Sequence, residues 1–221
     1  MPRRTLGVVL IVAGALLLAD VLLTLVWREP VSWLRHRSDQ PRLERRLATV
    51  EDRGGLSPVA VRGADATTAM AQAAARLGST ARPGDPLGSL SIPRIGVRFV
   101  FVQGTAPGQL REGPGHYTRT QMPGAGGTVG LAGHRTTYAQ PFRSIDALDP
   151  GDQIVLRMPY GRFSYRVMGT RIVDPSQVTV LARRASSGEL LVLTACHPLF
   201  SAQQRIVVTA RLVRALPRLH S

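Results

Sequence analysis

The chemistry-bearing residues of this chain gather in three short stretches. Gly133-His134-Arg135-Thr136-Thr137-Tyr138 follows a run of β-forming residues, Thr194-Ala195-Cys196-His197-Pro198 ends another, and Arg205 opens a third. Cys196 is the sole cysteine, so neither an internal disulfide nor a multi-cysteine metal knuckle is open to the chain. A cysteine and a histidine that both lie just past strand ends can meet at one rim of a β-barrel. That pairing suits nucleophilic acyl transfer: the thiolate attacks, and a nearby His or Arg favours its formation. An arginine returning across the following turn can face the same point and stabilise the oxyanion of a tetrahedral intermediate. The same residue types have blander uses. A lone cysteine is often only a small buried hydrophobe. A metal site built from His116, His134, Cys196 and His197 is a further alternative, weakened because adjacent Cys196 and His197 would chelate poorly.

The elements that must position these residues read as β. From Leu87 onward the runs Leu90–Ile92, Val97–Val102, Thr128–Ala132, Gln153–Met158, Arg162–Val173, Leu190–Thr194 and Arg205–Val213 are rich in Val, Ile, Phe and Thr and bounded by Gly, Pro or Asp. Gly151-Asp152 and Tyr160-Gly161 read as turns, and Gln140–Leu148 as a short helix. This pattern predicts an all-β domain with short helices, a closed barrel of about eight strands or a sandwich. The glycines of Gly124–Gly130 precede a strand, the reverse of the order a dinucleotide site requires.

Upstream, Leu6 to Trp27 is apolar apart from Asp20 and long enough for the roughly 20 residues that span a bilayer as a helix. Arg3 and Arg4 precede it, Trp27 suits the interface, and no small-x-small cleavage site follows. The expectation is an uncleaved transmembrane anchor over 6–27 after a cytoplasmic 1–5. Residues 28–82 form an extracytoplasmic stem: a helix through about Val50, a Gly/Pro break, then an alanine-rich helix from Ala64 to Leu77. Pro83-Gly84-Asp85-Pro86 opens the domain at 83–221. The stem either packs on the domain or holds it off the membrane. Arginines follow the span as well as precede it, so charge alone would favour the opposite orientation; the chemistry decides for an N-terminus inside and a domain outside. The net charge is +14 and every basic residue is arginine. These arginines are spread along the chain rather than concentrated in a stripe or tail, which argues against a nucleic-acid partner.

The domain resembles the sortases, cysteine transpeptidases of Gram-positive cell surfaces, over about residues 86–214. Leu90-Ser91-Ile92-Pro93-Arg94-Ile95-Gly96 looks like the family's opening strand motif, followed by Val102-Gln103-Gly104. Gly130-Leu131-Ala132-Gly133-His134-Arg135 looks like the histidine motif, Leu193-Thr194-Ala195-Cys196 the cysteine motif, and Arg205 stands where the family's arginine is expected. Cys196-His197-Pro198 and His134-Arg135-Thr136-Thr137-Tyr138 look like class E, the housekeeping-type sortases of high-GC actinobacteria, with class D the nearest competitor.

The resemblance implies a closed sortase-type barrel with Cys196 as nucleophile, His134 as acid and base, and Arg205 at the oxyanion. It implies partner proteins with an LAxTG or LPxTG signal near the C-terminus, a peptidoglycan precursor amine as acceptor, a site on the outer face of the cell membrane, and no cofactor. Tyr117 is the candidate for the tyrosine linked to LAxTG selectivity, with Thr194, Ala195 and His197 as further substrate contacts. Two positions depart from the pattern: Val192 and Ala195 stand where the family motif has threonine, and Ala195 implies reduced activity. Asp146, Asp149 and Asp152 read as a solvated turn rather than a calcium site. A hydrolase on the same signal, and a non-catalytic β-domain that binds envelope components, are the other readings of these residues.

Overall fold

Branched and aromatic runs bounded by turn residues become eight strands: β1 (Pro86–Ile92), β2 (Val97–Gln103), β3 (Gly115–His116), β4 (Thr128–Ala132), β5 (Gln153–Met158), β6 (Gly161–Val173), β7 (Leu190–His197) and β8 (Gln204–Pro217). The structure is a computed structural model and describes residues 7, 11–18, 30–54, 66–182 and 188–219. The strands close into a barrel in the order β1-β2-β3-β4-β7-β8-β6-β5, and β5 pairs back onto β1. Two junctions are parallel, β2 with β3 and β4 with β7. Helices α1 (Pro30–Gly54), α2 (Ala66–Thr80) and α3 (Pro107–Glu112) lie outside the sheet order.

Alternation along the strands divides inside from outside. Leu191, Leu193 and Ala195 of β7, Val129 and Leu131 of β4, and Ile206, Val208 and Ala210 of β8 join the common core. Each fully buried large aliphatic side chain contributes about 1.5–3 kcal/mol. The intervening residues of β7, Leu190, Val192, Thr194 and Cys196, face the other way.

The two helices of the predicted stem pack on the barrel. Ala69, Met70 and Ala74 of α2 enter the barrel core. Leu43 and Leu47 of α1 cluster with Val100 and Val102 of β2. Gln40 completes the contact: its Oε1 accepts from the Val100 N–H at 2.7 Å and its Nε2 donates to the Glu112 carbonyl at 2.8 Å. A buried amide that satisfies a strand edge in this way contributes about 1 kcal/mol, and its removal strands a buried donor. The Arg46–Asp85 pair at 3.2 Å is exposed on both sides and adds little.

Most of the expected anchor, 6–27, and the whole of 1–5 lie outside the described residues. Residues 11–18 are helical, with Ile11 73% and Leu17 67% exposed. Among the described residues no helix is long and apolar enough to cross a membrane.

Three local expectations change. β7 runs on to His197 because Cys196 and His197 continue the ladder opposite Arg205 and Gln204 of β8, so the cysteine sits within a strand rather than past its end. The two-residue β3 escaped notice because so short a run carries no periodicity. The helix expected over Gln140–Leu148 is only a 3₁₀ turn, Ile145–Ala147. Tyr138, Ala139 and Gln140 are all left-handed, with φ of 49°, 63° and 51°; that geometry costs about 1–2 kcal/mol per residue for non-glycine side chains and leaves no helical path into Pro141.

At the end of the barrel where β4 and β7 begin, Glu189 fastens the two strands. Its Oε2 accepts from the N–H groups of Gly124 and Gly126 at 2.7 and 3.0 Å, and its Oε1 from the Tyr165 hydroxyl at 2.6 Å. The next N–H, of Leu190, donates to the Gly127 carbonyl at 2.7 Å, which starts the ladder at the Thr128–Leu190 pair. Burial raises the Glu189 carboxyl above its ordinary value, and these hydrogen bonds pull it only part of the way back. The folded state therefore holds the proton more tightly than the unfolded state does. Stability from this group is full below the ordinary glutamate pKa and falls as pH rises to the folded value. Glu189→Gln keeps an acceptor for both glycines and removes the charge. Urea midpoints measured across pH 4–8 are expected to fall with rising pH more steeply in the wild type than in Glu189→Gln. Parallel curves discard this account.

Candidate active site

β4 and β7 run parallel, and their last rung pairs Ala132 with Thr194. One further bond, from the Gly133 N–H to the Thr194 carbonyl at 3.1 Å, closes the pair. His134 and Cys196 each follow that rung by two residues, at the same rim. Cys196 is a free, half-buried thiol. Directly opposite it on antiparallel β8 is Arg205, and directly paired residues present their side chains on the same face. The three elements named from the sequence thus converge on one outer edge of the barrel.

Arg205 is held by its own turn. Its Nη1 donates to the carbonyls of Ala202 and Gln204, both at 2.9 Å. Among the described residues its hydrogen bonds are both made through Nη1, so Nε and Nη2 are left for an incoming anion. That fork suits a developing oxyanion beside the sulfur.

His134 lies 5.0 Å from the Tyr138 ring, tilted 51°, and the Arg111 guanidinium of α3 sits 5.5 Å from the centroid of the same Tyr138 ring. Burial lowers the His134 pKa, and the positive charge of Arg111 lowers it further. These effects favour the neutral imidazole and disfavour its protonated form, the proton donor an acyl transfer needs. Gly133 allows the close turn before it: a Cβ there would stand 2.5 Å from the Phe142 ring.

Tyr117 and Thr194 form one unit. The Tyr117 hydroxyl is 2.8 Å from Thr194 Oγ1, and the ring lies over Gly130 of β4, where a Cβ would come within 3.0 Å of it. Thr194 is on the same face of β7 as Cys196, so this pair borders the thiol. Leu190 and Val192 continue that face into a groove of about 280 Å³, with Thr128, Thr209 and Val180 among its walls.

Ala195 is not on this face. It is 3% exposed and belongs to the barrel core, because alternation turns it inward between Thr194 and Cys196. Its side chain is not placed to touch a substrate on the thiol face, and a threonine there would bury its hydroxyl. His197 alternates with Cys196 as well, and its Nδ1 is 3.3 Å from Nη1 of Arg135. Arg135 itself is 2% exposed. It and Arg111 are the two residues to which sequence reasoning gave no role. Arg135 shows itself in the sequence only as the neighbour of His134, and the link of Arg111 to His134 through Tyr138 is invisible without the fold.

The remaining candidates have structural partners. His116 is buried, with ring nitrogens 2.8 Å from Gln103 Oε1 and 3.1 Å from the Gln121 carbonyl. Asp146 pairs with Arg135 at 2.9 Å, and Asp149 and Asp152 lie 3.6 and 3.8 Å from Arg94. Among the described residues no group of three or more His, Cys, Asp or Glu side chains could hold a metal.

A barrel of this order with cysteine, histidine and arginine on one rim defines a class, and comparison with known proteins supports it. The family model of the sortase domain matches residues 90–213, more than half of the chain. The chain belongs to the sortase family. It is 36% identical to sortase D of Bacillus subtilis over 115 residues, covering 52% of this chain and 56% of that protein. It is 34% identical to sortase SrtE1 of Streptomyces coelicolor over 150 residues, covering 62% of this chain and 43% of that one. The chain thus spans about half the length of these curated relatives. Among solved structures, sortase E of Streptomyces avermitilis superimposes with a TM-score of 0.56 at 32% identity, covering 62% of this chain and 93% of that one. Sortase E1 of S. coelicolor, solved with a tripeptide in the active site, gives 0.58 at 33%, covering 62% and 94%. The class E resemblance fits these neighbours.

The Arg111 charge makes a testable difference. Arg111→Gln removes a like charge near the imidazolium, so the His134 pKa is expected to rise. The pH titration of the His134 ring-proton resonance measures it; an unchanged or lower midpoint removes Arg111 from the site.

Proposed function

We propose that this chain is a membrane-anchored cysteine transpeptidase that cleaves an LAxTG/LPxTG-type sorting signal between Thr and Gly and transfers the protein to a cell-wall precursor amine. The observation that carries the reading is the direct cross-strand pairing of Cys196 with Arg205, beside the parallel β4 end that presents His134. The thiolate of Cys196 attacks the threonine carbonyl carbon, and a C–S bond forms as the carbonyl electrons move to oxygen. The free edge of the Arg205 guanidinium faces that charge. As the oxyanion collapses the C–N bond breaks, and His134 delivers a proton to the departing glycine amine. The acceptor amine then attacks the thioester, gives its proton to His134, and releases Cys196 as the thiolate with a new amide formed. If water replaces the amine, the same thioester yields an acid.

The anchor part of the reading rests on the length of the apolar Leu6–Trp27 run and on the exposed leucines and isoleucine of helical 11–18, surface that hydrocarbon accommodates and water does not. The substrate part rests on the Tyr117–Thr194 pair and the groove along Leu190 and Val192, which an extended peptide would follow to reach the thiol.

The test uses the full chain in mild detergent, because α1 and α2 pack on the barrel. Incubated with an LAxTG peptide and a glycine or diaminopimelate-type amine, the wild type is expected to give an amide product by mass spectrometry that Cys196→Ala does not. Acid product alone would mean hydrolysis, and no thioester adduct would sink the enzyme reading. Tyr117→Ala is expected to lower the ratio of LAxTG to LPxTG turnover; an unchanged ratio removes Tyr117 from selectivity.

A further inference from the structure

The β4–β7 ladder stops short of the chemistry. Its last bond, Gly133 N–H to Thr194 carbonyl, falls one residue before His134 and two before Cys196. Beyond it the next link between the two segments is a side chain, Arg135. Arg135 follows His134 directly, and its partner His197 follows Cys196 directly.

We propose that Arg135 is a positioning residue: its buried guanidinium braces the segment carrying His134 against the segment carrying Cys196, with His197 as the acceptor on the cysteine side. Three anchors fix the guanidinium. Nη2 pairs with Asp146 Oδ1 at 2.9 Å, Nε and Nη2 donate to the Arg143 carbonyl at 3.3 and 3.1 Å, and Nη1 reaches His197 Nδ1 at 3.3 Å. The first two anchors belong to the His134 loop, which also closes on itself through the Phe142 N–H to the His134 carbonyl at 3.0 Å. The third crosses to β7. Arginine has donors only, so this contact is a hydrogen bond only when Nδ1 of His197 is unprotonated and accepts. A lysine cannot reproduce this: it has a point charge and no planar fork to serve Asp146, Arg143 and His197 together. Acyl transfer depends on the separation of thiol and imidazole, and a misplacement of about 1 Å costs on the order of 100-fold in rate. A brace one residue from each group controls that separation without touching the substrate.

The inference rests on the transpeptidase reading, and the experiment separates the two. His197→Leu removes the acceptor, His197→Asn offers Oδ1 in place of Nδ1, Arg135→Lys removes the fork, and a double variant combines Arg135→Lys with His197→Leu. Turnover by the full chain is followed with an LAxTG peptide and an amine. Arg135→Lys and His197→Leu are each expected to lower kcat about 10- to 100-fold with KM within about twofold of the wild type. The double variant is expected to lose no more than the worse single variant, because the Arg135–His197 bond is already broken in each. His197→Asn is expected to recover most of the activity. Losses that multiply in the double variant, a change confined to KM, wild-type kcat in both single variants, or His197→Asn as impaired as His197→Leu would each overturn the brace. Long-range proton–nitrogen correlation of the His197 ring gives a reading that needs no turnover. An unprotonated Nδ1 in the wild type that is lost in Arg135→Lys sustains the brace, and a proton on Nδ1 in the wild type overturns it. A wild type that forms no amide sinks the transpeptidase reading alone, and the nitrogen resonances then decide the brace.

Discussion

Two strands far apart in sequence can place their C-terminal ends side by side only if they pair in parallel, and in this barrel β4 and β7 do so. An antiparallel pair would carry His134 and Cys196 to opposite rims. Parallel pairing has a cost in connection length, since the chain must travel back along the barrel before it can begin the second strand. Here β5 runs back, β6 runs forward again, and the segment containing the Val178–Leu181 turn leads to the start of β7. The register is fastened at the starting end by Glu189 and at the far end by Arg135. Both are ionisable groups taken largely out of water, and both are satisfied on several sides, which is the condition under which such burial is tolerated.

The electrostatics of the rim follow from its arginines. Arg205 is paired with Cys196 across the sheet, Arg135 is buried against His197, and Arg111 lies over the Tyr138 ring. Asp146 is paired with Arg135. Burial, and then the Arg111 charge, favour neutral imidazole over imidazolium at His134. His134 is thereby drawn away from the imidazolium that a tight thiolate–imidazolium pair would contain. Tyr138 contacts both the His134 ring and the Arg111 guanidinium.

Much of this was legible in the sequence. The β-runs, their order and the three chemical stretches could be read directly, since alternation and turn residues are local signals. β4 and β5 have the bounds that their side chains suggest. What could not be read is whatever depends on partners. The extension of β7 through Cys196 is imposed by β8. The docking of α1 through Gln40 depends on an N–H of β2 far along the chain. The left-handed run at Tyr138–Gln140 contradicts local propensity and is sustained by the bonds around it. Arg135 looked like one arginine among many in an arginine-rich chain, and only burial distinguishes it.

Ala195 shows what strand alternation does to a motif. Thr194 and Cys196 are turned to the groove, while Ala195 and Leu193 fill the barrel. A contiguous signature therefore records two unrelated selective pressures, interleaved residue by residue: one for reactivity, one for volume. The inward positions form a volume-filling set, paired with Ile206 and Val208 across the sheet. A pattern that weights all five letters alike will discard competent enzymes whose lining has merely been repacked. Scoring odd and even positions separately would keep them.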